Sequence, residues 1–128
     1  MSALLLLSLL AGAPQGLGVT LAPLELRGAG PAEAKLVADA LASELRLQGY
    51  EVRAEGKAPA LIVGHLEKSE RGWVLALSLV DAGREVELDD VKLTVGKREE
   101  LAAAGTEAAR RLASAIRLAW GVRARLKL

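Results

Sequence analysis

Leu61-Ile62-Val63-Gly64-His65-Leu66-Glu67-Lys68-Ser69-Glu70-Arg71-Gly72-Trp73-Val74-Leu75-Ala76-Leu77-Ser78-Leu79-Val80-Asp81-Ala82 is the stretch that decides the fold. Two alternating segments flank a polar turn, and Asp-Ala-Gly ends the second. Successive strand side chains point to opposite faces, so Leu61, Val63, His65 and Glu67 share one face, and Ile62, Gly64 and Leu66 the other. Trp73, Leu75, Leu77 and Leu79 line one face of the second strand, opposed by Val74, Ala76, Ser78 and Val80. Both of its faces are largely apolar, which predicts a central strand.

Working outward, Val86 and Leu88 alternate with Glu85, Glu87 and Asp89, but Val91, Leu93 and Val95 fall on the opposite phase. One extra residue shifts the pleat by one, so a β-bulge at Asp89-Asp90 is expected. Upstream, Val19 to Leu26 reads as a first strand, with Pro23 marking an edge position or a strand break. After the Arg27-Gly28-Ala29-Gly30 turn, Pro31 suits the first helical position and Glu33 the positive end of the helix dipole. Leu36, Val37, Ala40, Leu41 and Leu45 recur at helical spacing to about Gln48, and Gly49 supplies a left-handed stop. Tyr50 to Arg53 is a short strand. A last helix spans about Arg98 to Trp120 with Leu101, Ala108, Leu112, Ala115, Ile116 and Ala119 as its packing stripe. Gly105 weakens its middle by up to ~1 kcal/mol relative to alanine, which points to a break in the first turns.

The predicted fold is therefore α/β, an α+β two-layer sandwich: a mixed sheet of about five strands in the order β-α-β-β-β-β-α, with two helices packed on it. The first strand-helix-strand unit is expected to be a right-handed crossover. With 128 residues, 52% of them hydrophobic, the chain supports one core. No Phe, one Tyr and two Trp leave Leu, Val and Ala to fill it.

The chain divides into an apolar N-terminal segment (1–16), the α/β domain (17–121) and a basic tail or terminal strand (122–128). In the first, Ala3 to Leu10 is an apolar run followed by Ala11-Gly12-Ala13, the pattern of a signal peptide with a small-residue cleavage box. No basic residue precedes the run and Pro14 follows the box; an apolar first strand or helix of a cytosolic protein is the other reading. The run is far shorter than the ~20 residues of a membrane span. The expected location is periplasmic or secreted, or cytoplasmic if the run is not a signal peptide.

Formal charge is +1, so no global field draws nucleic acid or a membrane surface. The charge is uneven: an acidic run (Glu85, Glu87, Asp89, Asp90) sits mid-chain, and no acid follows Glu107, whereas Arg110, Arg111, Arg117, Arg123, Arg125 and Lys127 do. Zero cysteines exclude disulfides, thiol catalysis and Cys-ligated zinc.

Four residue sets resemble chemistry. Gly28-Ala29-Gly30 lies where a phosphate loop would, but a dinucleotide fingerprint wants glycine at position 33, and the Glu33 carboxylate repels phosphate. His65 is the only histidine; a metal site would need Glu67 or Glu85 to converge on it. Ser78, His65 and Asp81 compose a triad on paper, without a nucleophile elbow. The acidic run lacks the glycine and spacing of a calcium loop, and reads more simply as a solvated strand face. No catalytic, cofactor or metal residue is assigned, and the protein is read as not an enzyme. The basic C-terminal end suits a helix dipole, or a β-augmenting edge for a partner; Arg117, Arg123, Arg125 and Lys127 are the candidate partner-binding residues. Nucleic-acid binding is disfavoured because aromatics to stack bases are nearly absent.

Val19-Thr20-Leu21-Ala22-Pro23-Leu24, Val37-Ala38-Asp39-Ala40-Leu41-Ala42-Ser43-Glu44-Leu45, Gly49-Tyr50-Glu51-Val52, and the pair Leu61-Ile62-Val63-Gly64-His65-Leu66 with Leu77-Ser78-Leu79-Val80-Asp81-Ala82 resemble the TolB N-terminal-domain-like family. Related small domains occur in bacterial outer-membrane lipoproteins and curli-secretion proteins. The resemblance covers roughly residues 17 to 118. It departs in lacking a lipidation cysteine and the β-propeller that follows in TolB. It implies a non-catalytic envelope module that binds other proteins. The alternative from the residues is a cytosolic regulatory or ligand-sensing α/β domain.

Overall fold

The computed structural model describes residues 17–121. The 1–16 segment and the 122–128 tail lie outside the described residues. The strands are β1 (Gly18–Leu21), β2 (Glu25–Arg27), β3 (Glu51–Arg53), β4 (Ala60–Ser69), β5 (Gly72–Asp81) and β6 (Val86–Val95). Helix α1 (Pro31–Leu47) joins β2 to β3. Helix α2 (Leu101–Ile116) follows β6, between a 3-10 turn (Arg98–Glu100) and a π-helical turn (Arg117–Gly121).

The sheet runs β3-β1-β4-β5-β6, with β2 beside β4 beyond the end of β1. β1 is parallel to both β3 and β4, and β2 is parallel to β4. β5 runs antiparallel to both of its neighbours, β4 and β6. The sheet is mixed, as expected, and among the described residues holds six strands, because the expected first strand is split in two. Proline cannot donate a ladder hydrogen bond, so the chain leaves the sheet at Pro23 and re-enters at Glu25. Pro23 is thus a break. β1 is flanked by β3 and β4, whereas among the described residues β2 has a neighbour on the β4 side alone.

The β4–β5 ladder is unbroken, from Ala60 opposite Asp81 to Ser69 opposite Gly72. Ala60, Ile62 and Leu66 on β4 and Trp73, Leu75, Leu77 and Leu79 on β5 are buried. Val74, Ala76, Ser78 and Val80, on the opposite face, are half-buried. Both helices pack on the first face, so among the described residues the second has no helical cover. The expected bulge is present but earlier. Leu79 pairs with Asp89 and Val80 with Glu87, which leaves Leu88 as the extra residue. Val91, Leu93 and Val95 must face Leu77, Leu75 and Trp73, and the slip is absorbed where half-buried Leu88 still reaches the core.

α1 starts with the Glu33 carboxylate accepting the Gly30 N–H at 3.1 Å. It ends in a Schellman motif: Tyr50 N–H donates to Leu45 O (3.1 Å) and Gly49 N–H to Arg46 O (3.0 Å), with Gly49 at φ +96°. Val37, Leu41, Ala42 and Leu45 form its buried face. Leu36, expected there, is exposed instead, because it lies about 100° around the helix from Val37.

Gly105 does not interrupt α2, which is continuous from Leu101; the separate turn precedes it. The reason is packing. A Cβ on Gly105 would stand 2.6 Å from Val37 O and 3.2 Å from Ala40 Cβ. Hydrogen at this position, with buried Ala104, Ala108 and Ala109 alongside, is what lets α2 approach α1. Gly105→Ala should therefore destabilise by about 1–2 kcal/mol despite alanine's better helix propensity. Urea unfolding checks this; a stabilised variant would contradict the close approach.

Candidate interaction surfaces

The structure disperses the catalytic combinations. His65 sits on the outer sheet face between Glu25 and Ala76. Ser78 shares that face, opposite Val63, but Asp81 points to the inner one beside Ala60. The Asp81 carboxylate accepts the N–H groups of Gly83 (3.1 Å) and Arg84 (3.3 Å), closing the β5–β6 turn. Gly28-Ala29-Gly30 carries the Glu33 carboxylate where a phosphate would need to sit. Among the described residues no three His, Asp or Glu side chains are grouped to hold a metal ion.

Of the candidate partner-binding residues, Arg123, Arg125 and Lys127 lie outside the described residues. Arg117 is half-buried and turned inward. Its Nη1 donates to Gln48 Oε1 (3.0 Å) and its Nη2 to Ser114 Oγ (3.2 Å), tying the end of α2 to the C-cap of α1. The buried Tyr50 hydroxyl lies beside this guanidinium without a well-aligned hydrogen bond. Burial raises the Tyr50 phenol above its ordinary value, and the Arg117 charge opposes that rise. Arg110 and Arg111 pair with Glu44 (3.7 Å) and Glu107 (3.1 Å).

Among the described residues three surfaces remain open. The outer sheet face exposes a half-buried patch of Leu61, Val63, Val74, Ala76 and Val80. A groove of about 420 Å³ runs between α1 and the ends of β1 and β3. Leu21, Leu24, Val52, Ala34, Ala38 and Ala42 form its apolar wall, and Lys35, Asp39, Arg46 and Arg53 its rim. It exists because β3 stops at Arg53, which leaves β2 without a neighbour on that side. At the far side of the sheet, among the described residues, β6 pairs only with β5 and carries Glu87, Asp89 and Asp90 along an open edge.

TolB from Acinetobacter baumannii superposes on this architecture with a TM-score of 0.63 at 11% identity, over 81% of this chain and 29% of that one. The chain has the TolB-like small-domain fold. It spans under a third of TolB's length. A PelC dodecamer from Paraburkholderia phytofirmans matches the TolB-like domain at TM-score 0.54 and 16% identity, over 82% of this chain and 91% of that one. The lipoprotein GNA1162 from Neisseria meningitidis matches at 0.50 and 11%, over 63% and 81%. No protein-family model matches the sequence, and no curated protein matches it significantly.

Sequence reasoning missed the groove and the Tyr50–Arg117 contact of the TolB-like domain. The i, i+4, i+8 spacing of Ala34, Ala38 and Ala42 was the available signal for the groove. Nothing in the sequence marks Arg117 apart from the other late arginines. Tyr50 is the only tyrosine, so its phenolate absorbance can be read directly. The native state keeps the Tyr50 proton where the unfolded chain, near pH 10, gives it up. Stability from this group is therefore constant below that pH and falls as pH rises beyond it. Arg117→Ala should push the phenol higher still and cost about 1 kcal/mol in lost hydrogen bonds. An earlier phenolate titration in a variant shown to be folded would contradict the arrangement.

Proposed function

We propose that the TolB-like domain is a non-enzymatic module of the bacterial envelope, exported to the periplasm, that works by binding or assembling with other proteins. The observation that carries this reading is a sheet that, among the described residues, has helices on one face only, in a fold shared with a lipoprotein and a twelve-subunit assembly. The Ala3 to Leu10 run and its Ala11-Gly12-Ala13 box support export. Among the described residues no helix is long and apolar enough to cross a membrane. The cationic tail, with Arg123, Arg125 and Lys127, is the part of the sequence proposed to meet an envelope protein, whereas Arg117 is committed to Gln48 and Ser114 at the end of the helix before it. Nucleic acid is not a proposed partner, and no cofactor is invoked.

The apolar groove beside α1 favours a second reading, a cytosolic regulatory or ligand-sensing domain. Cell fractionation with N-terminal sequencing separates the two. Export predicts a periplasmic protein lacking its first residues; an intact Met1 in the cytosol overturns it. Deleting Val122 to Leu128 should abolish capture of an envelope protein while the thermal unfolding curve persists. Unchanged capture removes the tail from the account.

A further inference from the structure

Among the described residues, the β2 and β6 sides of this sheet are open edges, unlike and complementary. One is the β2 side, where the groove's rim holds Lys35, Arg46 and Arg53 against the carboxylate of Asp39, and β2 itself carries the Glu25–Arg27 ion pair. Lys35 already pairs with Asp39 at 2.7 Å and Arg53 with Glu51 at 2.8 Å, but among the described residues Arg46 has no ion pair. Leu26 on β2 is 39% exposed. The other edge is β6, whose Val86-Glu87-Leu88-Asp89-Asp90 alternates apolar and acidic residues before ending in a second acid. None of its carboxylates is in an ion pair among the described residues, and Val86 is 48% exposed. Beside it, Leu118 on the π-helical turn is 72% exposed, next to Leu88 and Ala115.

We propose that copies of this chain associate head to tail, the acidic β6 edge of one copy lying along the β2 edge and α1 groove of the next. The open side of β2 offers backbone N–H and C=O groups that an added strand satisfies. Val86 and Leu88 would supply the apolar contacts, and Glu87 and Asp90 the charges facing Arg46 and Arg53. The match also explains selectivity. A bulged, acidic edge resists pairing with another copy of itself, because like charges oppose and the ladder is interrupted at Leu88. The chain's own tail, with Arg123, Arg125 and Lys127, has the wrong sign for the groove. The two surfaces sit on opposite sides of one sheet, so the contact is heterologous, and its repetition generates a ring or a filament.

This inference rests on the assembly reading above and names its partner. Sedimentation velocity of the full chain at low ionic strength tests it with two variants reversed at exposed positions: Arg46→Glu with Arg53→Glu, and Glu87→Lys with Asp90→Lys. The wild type should form species larger than the monomer, dissociating as salt rises. Each variant alone should associate at least about tenfold more weakly. An equimolar mixture should recover assembly, because each reversed edge then meets a complementary one on the other variant. Thermal unfolding like the wild type's confirms that both variants are folded. A monomeric wild type, undiminished association of either variant, or folded variants whose mixture does not recover would each overturn the proposal. A chain that is exported and captures other envelope proteins, yet stays monomeric, defeats this inference alone.

Discussion

The structure depends on the antiparallel ladder between β4 and β5. Its ten residue pairs lock a single register, and that register gathers Ile62, Leu66, Leu75, Leu77 and Leu79 on one face. A slip of one residue would turn this entire set to solvent, so burial and pairing enforce each other. Every other element borrows from that face. β1 and β2 extend it in parallel from the β4 side, β6 from the β5 side, and both helices close over it.

Composition shapes how the helices close. Without phenylalanine, the layer between helices and sheet is built mainly from leucine, valine and alanine, and small side chains fill space only if the backbones come near. Gly105 against the Val37 carbonyl is where that demand is most severe. The helix propensity lost at a mid-helix glycine is the lesser term; contact between α1 and α2 is the greater. The same small-residue habit on the other side of α1, at Ala34 and Ala38, leaves space unfilled, because β3 is too short to cover it. A groove and an open strand edge follow from one short strand.

The hairpin was legible residue by residue, because strand alternation is local and a polar turn separates its two halves. The caps of α1 were legible too, since Pro31, Glu33 and Gly49 act through hydrogen bonds within a few residues. What escaped were quantities set by partners distant in sequence. The phase change in β6 showed that a residue must be inserted, but the core contact of Leu88 chose the place. Leu36 fits a helical stripe as well as Ala42 does, and only the position of α2 and the sheet separates them. Arg117 reads as one more cation of a basic end, yet it spends its donors on Gln48 and Ser114. For the candidate surfaces, the sequence displayed charge runs but not which edge each would occupy. Topology supplied that by setting the acidic strand at one side of the sheet and the basic groove at the other.

The molecule divides into a tightly paired centre and edges left open for association. Amide hydrogen exchange tests that division most directly. Amides in the β4–β5 ladder should exchange only through global unfolding, with protection matching the full unfolding free energy, while those of β2 and β3 exchange by local opening. Equal protection of β2 and β3, or rapid exchange within Ile62 to Leu66 and Leu75 to Leu79, would contradict it.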